Sequence, residues 1–139
     1  MLYAAYGSNL CIERLEERVG KILSVGTVKL ENWSLNFDKM GLDKTGKCNI
    51  KPTTHDHVFF ALYELSARQL KILDGYERGY VSEMLAINKT KKAQTYIAKT
   101  QPIGIKFPPA HWYLEFVVKG AKQHRFPSYY VDFIESFSE

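Results

Sequence analysis

"LYAAYGSNL", Leu2 to Leu10, runs a short apolar stretch straight into Gly-Ser-Asn. Tyr3 to Tyr6 read as a short buried strand, and Gly7 breaks it. Ser8 or Asn9 then offers a side-chain oxygen to an orphan backbone N–H and caps a following helix. Leu10, Leu15 and Val19 gather near one side of that helix. Glu13, Arg14, Glu16 and Glu17 fall mostly outside, and Gly20 stops it. A strand, a tight glycine turn and a helix N-terminus make an anion site, because several N–H groups point outward and the helix dipole favours negative charge. Gly7 lets a ligand come close to the backbone. The turn lacks the length and the lysine of a phosphate loop, so a carboxylate fits it better than a nucleotide. An ordinary capped strand–turn–helix accounts for the same residues and remains the alternative at this point.

Downstream, strand signals dominate. Leu23, Val25, Thr27 and Lys29 alternate with Ser24, Gly26, Val28 and Leu30, and a turn near Glu31-Asn32 leads into "WSLNF" (33–37). "DKMGLDKTGK" (38–47) reads as a loop and "CNI" (48–50) as a short strand. His55 and His57 flank Asp56 in a polar loop. "VFFALYEL" (58–65) is nearly all apolar, which predicts a central strand covered on both faces. Ser66 with Gln69 forms a capping box, so a helix starts there, and Gly75 ends it. "YVSEMLAI" and "AQTYIA" pair as a hairpin around Asn88 to Lys92. A helix spans Ala110 to Lys122, with Tyr113, Phe116, Val117 and Gly120 at i, i+3, i+4, i+7. Pro127 opens the last helix, which turns Tyr130, Phe133, Ile134 and Phe137 inward. The class is α+β: a mixed, largely antiparallel sheet or small barrel with short helices, in one domain over residues 1–139.

The chain's 139 residues are 45% hydrophobic and 14% aromatic, enough for a single sizeable core. The net charge of +4 raises the question of nucleic acid. The distribution of basic residues argues against it: Lys89, Lys91 and Lys92 sit at a hairpin tip, and Lys119, Lys122 and Arg125 at the wet end of a helix. Two scattered cysteines, Cys11 and Cys48, suit a reduced, cytoplasmic setting. No clustered His/Cys spacing argues for a metal. No apolar run approaches a membrane span, and the N-terminus does not read as a signal peptide.

In "LDGYERGY" (73–80), Glu77 lies just past a helix C-terminus, where the dipole disfavours an acid. Tyr76 and Tyr80 can shield it, and burial would raise its pKa toward that of a proton shuttle. A solvated glutamate paired with Arg78 is the plain alternative. In "WYLEFVVKGAKQHRFPSYY" (112–130), Tyr113 sits on a core stripe at the start of a helix, where its hydroxyl can reach a cleft.

Taken in order, "YGSNL", "LDGYERGY" and "WYLEFVVKGAKQHRFPSYY" resemble the γ-glutamylcyclotransferase superfamily, the AIG2-like proteins, over nearly the whole chain. The resemblance implies a fold around a small β-barrel. It implies a turn of Tyr6, Gly7, Ser8, Asn9 and Leu10 that grips a substrate α-carboxylate, Glu77 as the catalytic glutamate of an L-D-x-x-E pattern, and Tyr113 as a cleft tyrosine. It further implies a small-molecule γ-glutamyl substrate, release of 5-oxoproline, no cofactor, and a monomer or weak homodimer. A non-catalytic small-carboxylate binding module of the same fold is the alternative. The sequence departs from the family pattern twice. "KPTTHDHVFFALYEL" lacks expected glycines, and Arg78 follows Glu77, where a salt link would weaken the base.

Overall fold

The computed structural model describes residues 1–99 and 107–138. Five strands form one sheet in the order β2-β3-β1-β5-β4. They are β1 (Leu2–Ala5), β2 (Leu23–Met40), β3 (Gly46–Glu64), β4 (Val81–Ala86) and β5 (Lys92–Ile97). Only β1 and β5 run parallel; the β1–β3, β2–β3 and β4–β5 pairs are antiparallel. Among the described residues four α-helices accompany the sheet: α1 (Ile12–Val19), α2 (Ala67–Tyr76), α3 (His111–Gln123) and α4 (Ser128–Glu135). The mixed α+β class is as the sequence predicts. Closure into a barrel is not seen in the strand pairing: β2 and β4 end the ladder and do not pair with each other among the described residues.

The largest departure from the sequence reading is the β2–β3 hairpin. What reads as four short strands with loops between is two continuous strands of 18 and 19 residues. The turn expected at Glu31-Asn32 is a bulge. Asn32 takes a left-handed backbone with φ of 68°, and the register jumps from Glu31↔His57 to Trp33↔Pro52. Asparagine tolerates that conformation better than most residues, so the ladder bends there without ending. His55, also left-handed, therefore belongs to a strand irregularity and not to a free loop. "DKMGLDKTGK" is the hairpin's tip, with strand on either side of residues 41–45.

"VFFALYEL" lies inside the sheet between β2 and β1, and Val58, Phe60, Ala61 and Tyr63 are fully buried. Leu15 of α1 and Leu73 of α2 are fully buried as well, each contributing about 1.5–3 kcal/mol. The Ser66–Gln69 capping box is complete in both directions. In α4 the inward face is Tyr130, Val131 and Ile134, while Phe133 is partly exposed, a correction to the predicted stripe. In α3, Tyr113, Val117 and Gly120 are buried and Phe116 is intermediate. Gly120 has no room for a side chain, since a Cβ would stand 2.2 Å from the Leu10 carbonyl carbon. α3 thus packs directly on the backbone of the YGSNL turn and fixes its position.

Candidate active site

The turn after β1 is built from close packing. Gly7 has φ of −115°, which any residue can adopt. Space there is tight: a Cβ would lie 3.0 Å from Cys48 Cβ, closer than side chains usually pack, and in ordinary contact with Tyr113 Oη at 3.4 Å. Ser8–Leu10 then make a single 3₁₀ turn, closed by Leu10 N–H donating to Gly7 O at 3.0 Å. The sequence reading expects Ser8 or Asn9 to cap α1, and neither does; the cap position is Cys11, with no side-chain cap bond. Their side chains serve the site instead. Ser8 Oγ accepts from Arg14 Nε at 3.0 Å. Asn9 Nδ2 donates to Glu77 Oε1 at 2.8 Å and to Tyr3 Oη at 2.9 Å. The backbone N–H groups of Gly7, Ser8 and Asn9 find no protein acceptor among the described residues.

Glu77 closes α2, its N–H donating to Leu73 O at 3.1 Å. Gly75 sits inside the last turn and does not end the helix. The Glu77 side chain is only 14% exposed, and Arg18 Nη1 stands 3.9 Å from its Oε1. Burial pushes the Glu77 carboxyl above its ordinary value; Arg18, the Asn9 hydrogen bond, Arg14 and Lys39 pull it back only in part. Arg78, the partner in the alternative reading, is exposed at the cavity wall, and the cation beside Glu77 is Arg18 from α1.

Tyrosines make the remaining walls. Cys48 is their hub: its N–H donates to Tyr113 Oη at 2.9 Å, and its carbonyl accepts from Tyr80 Oη at 2.6 Å. Tyr6 Oη donates to Tyr96 O, and Tyr96 Oη donates to Asp74. Burial holds the phenols of Tyr3, Tyr6, Tyr80 and Tyr113 well above their usual range, so all are neutral at pH 7. The Cys48 thiol is pushed up to about 12 by burial and is no nucleophile.

These groups surround a cavity of about 370 Å³, a size suited to a small ligand. Five cationic side chains line it (Arg14, Arg18, Lys39, Lys47 and Arg78) against two carboxylates, Asp43 and Glu77. That excess favours an anionic ligand. Tyr6, Gly7, Ser8, Asn9, Glu77 and Tyr113 all lie on its wall. Leu10 does not, which corrects its assignment as a binding residue. It is fully buried in the core, and its carbonyl accepts from Tyr63 Oη at 3.0 Å. The sequence reading overlooks Arg14, Arg18, Tyr3 and Tyr96 as cavity residues; Tyr80, which it names as a shield for Glu77, lies on the wall as well. Two arginines at i and i+4 just after a glycine turn were the available signal. Among the described residues no three His, Cys, Asp or Glu side chains converge as a metal site requires, and no helix is long and apolar enough to cross a membrane.

Comparison with known proteins gives the following. Residues 57–134, more than half of the chain, match the AIG2-like family. A solved structure of a gamma-glutamyl cyclotransferase superposes with a TM-score of 0.77 at 23% identity, covering 98% of this chain and 86% of that one. An uncharacterized protein from Homo sapiens gives 0.80 at 24% identity, covering 97% and 86%. YkqA from Bacillus subtilis gives 0.77 at 16% identity, covering 98% of this chain and 53% of that one. At such identities the likeness establishes the fold. Comparison with curated protein sequences gives no match.

Proposed function

The chain belongs to the AIG2-like family, and from that premise we propose that it is a γ-glutamylcyclotransferase-type enzyme that releases 5-oxoproline from a γ-glutamyl conjugate. One observation carries the reading: a buried carboxylate, Glu77, is held 2.8 Å from Asn9 of the YGSN turn, in a cavity with excess positive charge.

In this reaction the nucleophile belongs to the substrate, so the protein needs neither a reactive serine nor a reactive cysteine. Glu77 takes a proton from the substrate's α-ammonium. The freed amine attacks the γ-carbonyl carbon and a five-membered ring closes. The tetrahedral oxyanion collapses, the bond to the departing nitrogen breaks as Glu77 returns its proton to that nitrogen, and the ring nitrogen gives up its second proton, so that the amine departs as its ammonium form. No water is consumed and Glu77 ends as it began. Burial gives Glu77 the proton affinity that both halves of this shuttle require, and Arg18 and Asn9 stabilise its ionised form. The rest of the task is to fold a flexible glutamyl chain back on itself, which a tyrosine-walled cavity does by restricting its conformers. The unpaired N–H groups of Gly7 to Asn9 are donors for the carboxylate and the oxyanion.

The test is mass spectrometry of products from γ-glutamyl dipeptides, γ-glutamyl-amines and glutathione. Formation of 5-oxoproline is expected from at least one. Free glutamate as the sole product would replace cyclisation by hydrolysis. Binding of 5-oxoproline without turnover of any conjugate would favour the non-catalytic carboxylate-binding module.

A further inference from the structure

We infer that Arg14 is the charged anchor for the substrate's α-carboxylate, an assignment that deepens the cyclotransferase reading and rests on it. α1 presents Arg14 and Arg18 one turn apart on the cavity side. Their situations differ. Arg18 is already engaged: it donates to Asn9 Oδ1 at 3.3 Å, stands 3.9 Å from Glu77, and lies 4.9 Å from the ring centroid of Tyr76. Arg14 has one side-chain hydrogen bond, from Nε to Ser8 Oγ, and no carboxylate within ion-pair distance among the described residues.

A half-buried guanidinium with no carboxylate in contact is unfavourable for folding, since it loses hydration and Glu77 and Glu17 compensate it only at longer range. It is nevertheless held firmly. Its carbon sits 4.6 Å from the Phe116 ring centroid and 5.7 Å from that of Trp112, and Ser8 fixes the Nε edge. Both Nη atoms are without hydrogen bonds to protein among the described residues. A planar, pre-oriented pair of free donors suits a carboxylate taken in bidentate fashion.

The neighbouring contacts decide which anion. Ser8 carries Arg14, and the next residue, Asn9, carries Glu77. In a γ-glutamyl group the α-carboxylate and the α-amine share one carbon. A carboxylate seated on Arg14 at Ser8 therefore directs the amine toward Asn9 and Glu77, where its proton must go. The turn's unpaired N–H groups complete the grip.

The experiment compares binding of 5-oxoproline with that of its neutral carboxamide by calorimetry, for the wild type, Arg14→Gln, Arg14→Lys and Glu77→Gln. The wild type should prefer the acid. Arg14→Gln should weaken acid binding by ~10–100-fold and leave the amide within about threefold. Arg14→Lys, which keeps charge but not the fork, should fall between, and it carries the test if the glutamine variant does not fold. Glu77→Gln should keep the acid preference. In turnover, Arg14→Gln should raise KM far more than it lowers kcat. A merely structural arginine would not change the acid-to-amide ratio. An unchanged ratio in Arg14→Gln, or a wild type without preference, overturns the anchor. An Arg14-dependent preference in a protein that makes no 5-oxoproline would leave the anchor standing and remove the cyclotransferase reading.

Discussion

Replacing Asn9 with Asp keeps the side chain's size and puts a carboxylate oxygen where Nδ2 now stands, 2.8 Å from Glu77 Oε1. Two unit charges at that separation repel by about 6 kcal/mol at an effective dielectric of ~20. Arg18, already on both residues, offsets only part of this. The pair would therefore retain one proton through neutral pH, and its titration would belong to both groups together. Catalysis needs Glu77 ionised before it can accept the ammonium proton. At pH 7 the variant should lose at least about tenfold in kcat/KM and regain activity as pH rises. The assay is 5-oxoproline release under kcat/KM conditions from about pH 5 to 9, which reports the free enzyme's essential groups. Asn9→Ala is the companion, since it removes the donor without adding charge; its acidic limb should move in the same direction by less. An Asn9→Asp profile that overlays the wild type would refute the claim that this contact sets the charge state of Glu77.

Other consequences concern stability. Gly120→Ala should lower stability by about 1–3 kcal/mol, because the added Cβ meets the backbone of Leu10 and Cys11, which cannot swing aside as a side chain would. Gly75→Ala is the contrast: nothing stands within 4 Å of its Cβ position, so the helical turn should gain roughly 0.5–1 kcal/mol. Thermal melts distinguish the pair, and a Gly120→Ala variant as stable as wild type would show that α3 does not rest on the turn as described. Ser66→Ala removes the cap bond to Gln69 N–H and should cost about 1 kcal/mol, a Tm fall of about 4 °C. Glu77→Gln has a pH signature. The folded-state pKa of Glu77 is raised above 4.5, so the folded protein binds that proton more tightly than the unfolded chain. Below 4.5 this favourable contribution is fully present. It is lost as pH rises through the folded value, and glutamine escapes the loss. The Tm of the variant relative to wild type should therefore climb across that window and then level; a flat or falling difference would show that burial does not dominate the Glu77 environment.

Local chemistry made much of the fold legible. The capping box of α2, the β4–β5 hairpin and the start of α3 each depend on residues within a few positions of one another. What periodicity does not reveal is whether an interruption ends a strand or bends it. Asn32 and His55 suit a turn and a bulge equally, and the choice is made by pairing across the long hairpin. The same locality limit explains the misread cap. Ser8 and Asn9 carry capping side chains, but Arg14 and Glu77 take them, the latter from 68 positions away. Arg18 is harder still, because on a surface helix its charge reads as solvated until Glu77 is brought beside it. Phe133 falls on the stripe with Tyr130, Ile134 and Phe137, yet in α4 Val131 is buried and Phe133 is partly exposed. Glu77 was conspicuous for the opposite reason, an acid at the helix end where the dipole disfavours one.

The most direct measurement is the initial rate of 5-oxoproline formation from the best γ-glutamyl conjugate, wild type beside Glu77→Gln, with both shown to be folded and to bind 5-oxoproline. Glutamine preserves size and can keep a contact with Asn9, so only the proton-accepting carboxylate is lost. The account predicts a fall of about 10²–10⁴-fold with product binding retained. A variant that turns over at the wild-type rate would contradict Glu77 as the proton shuttle.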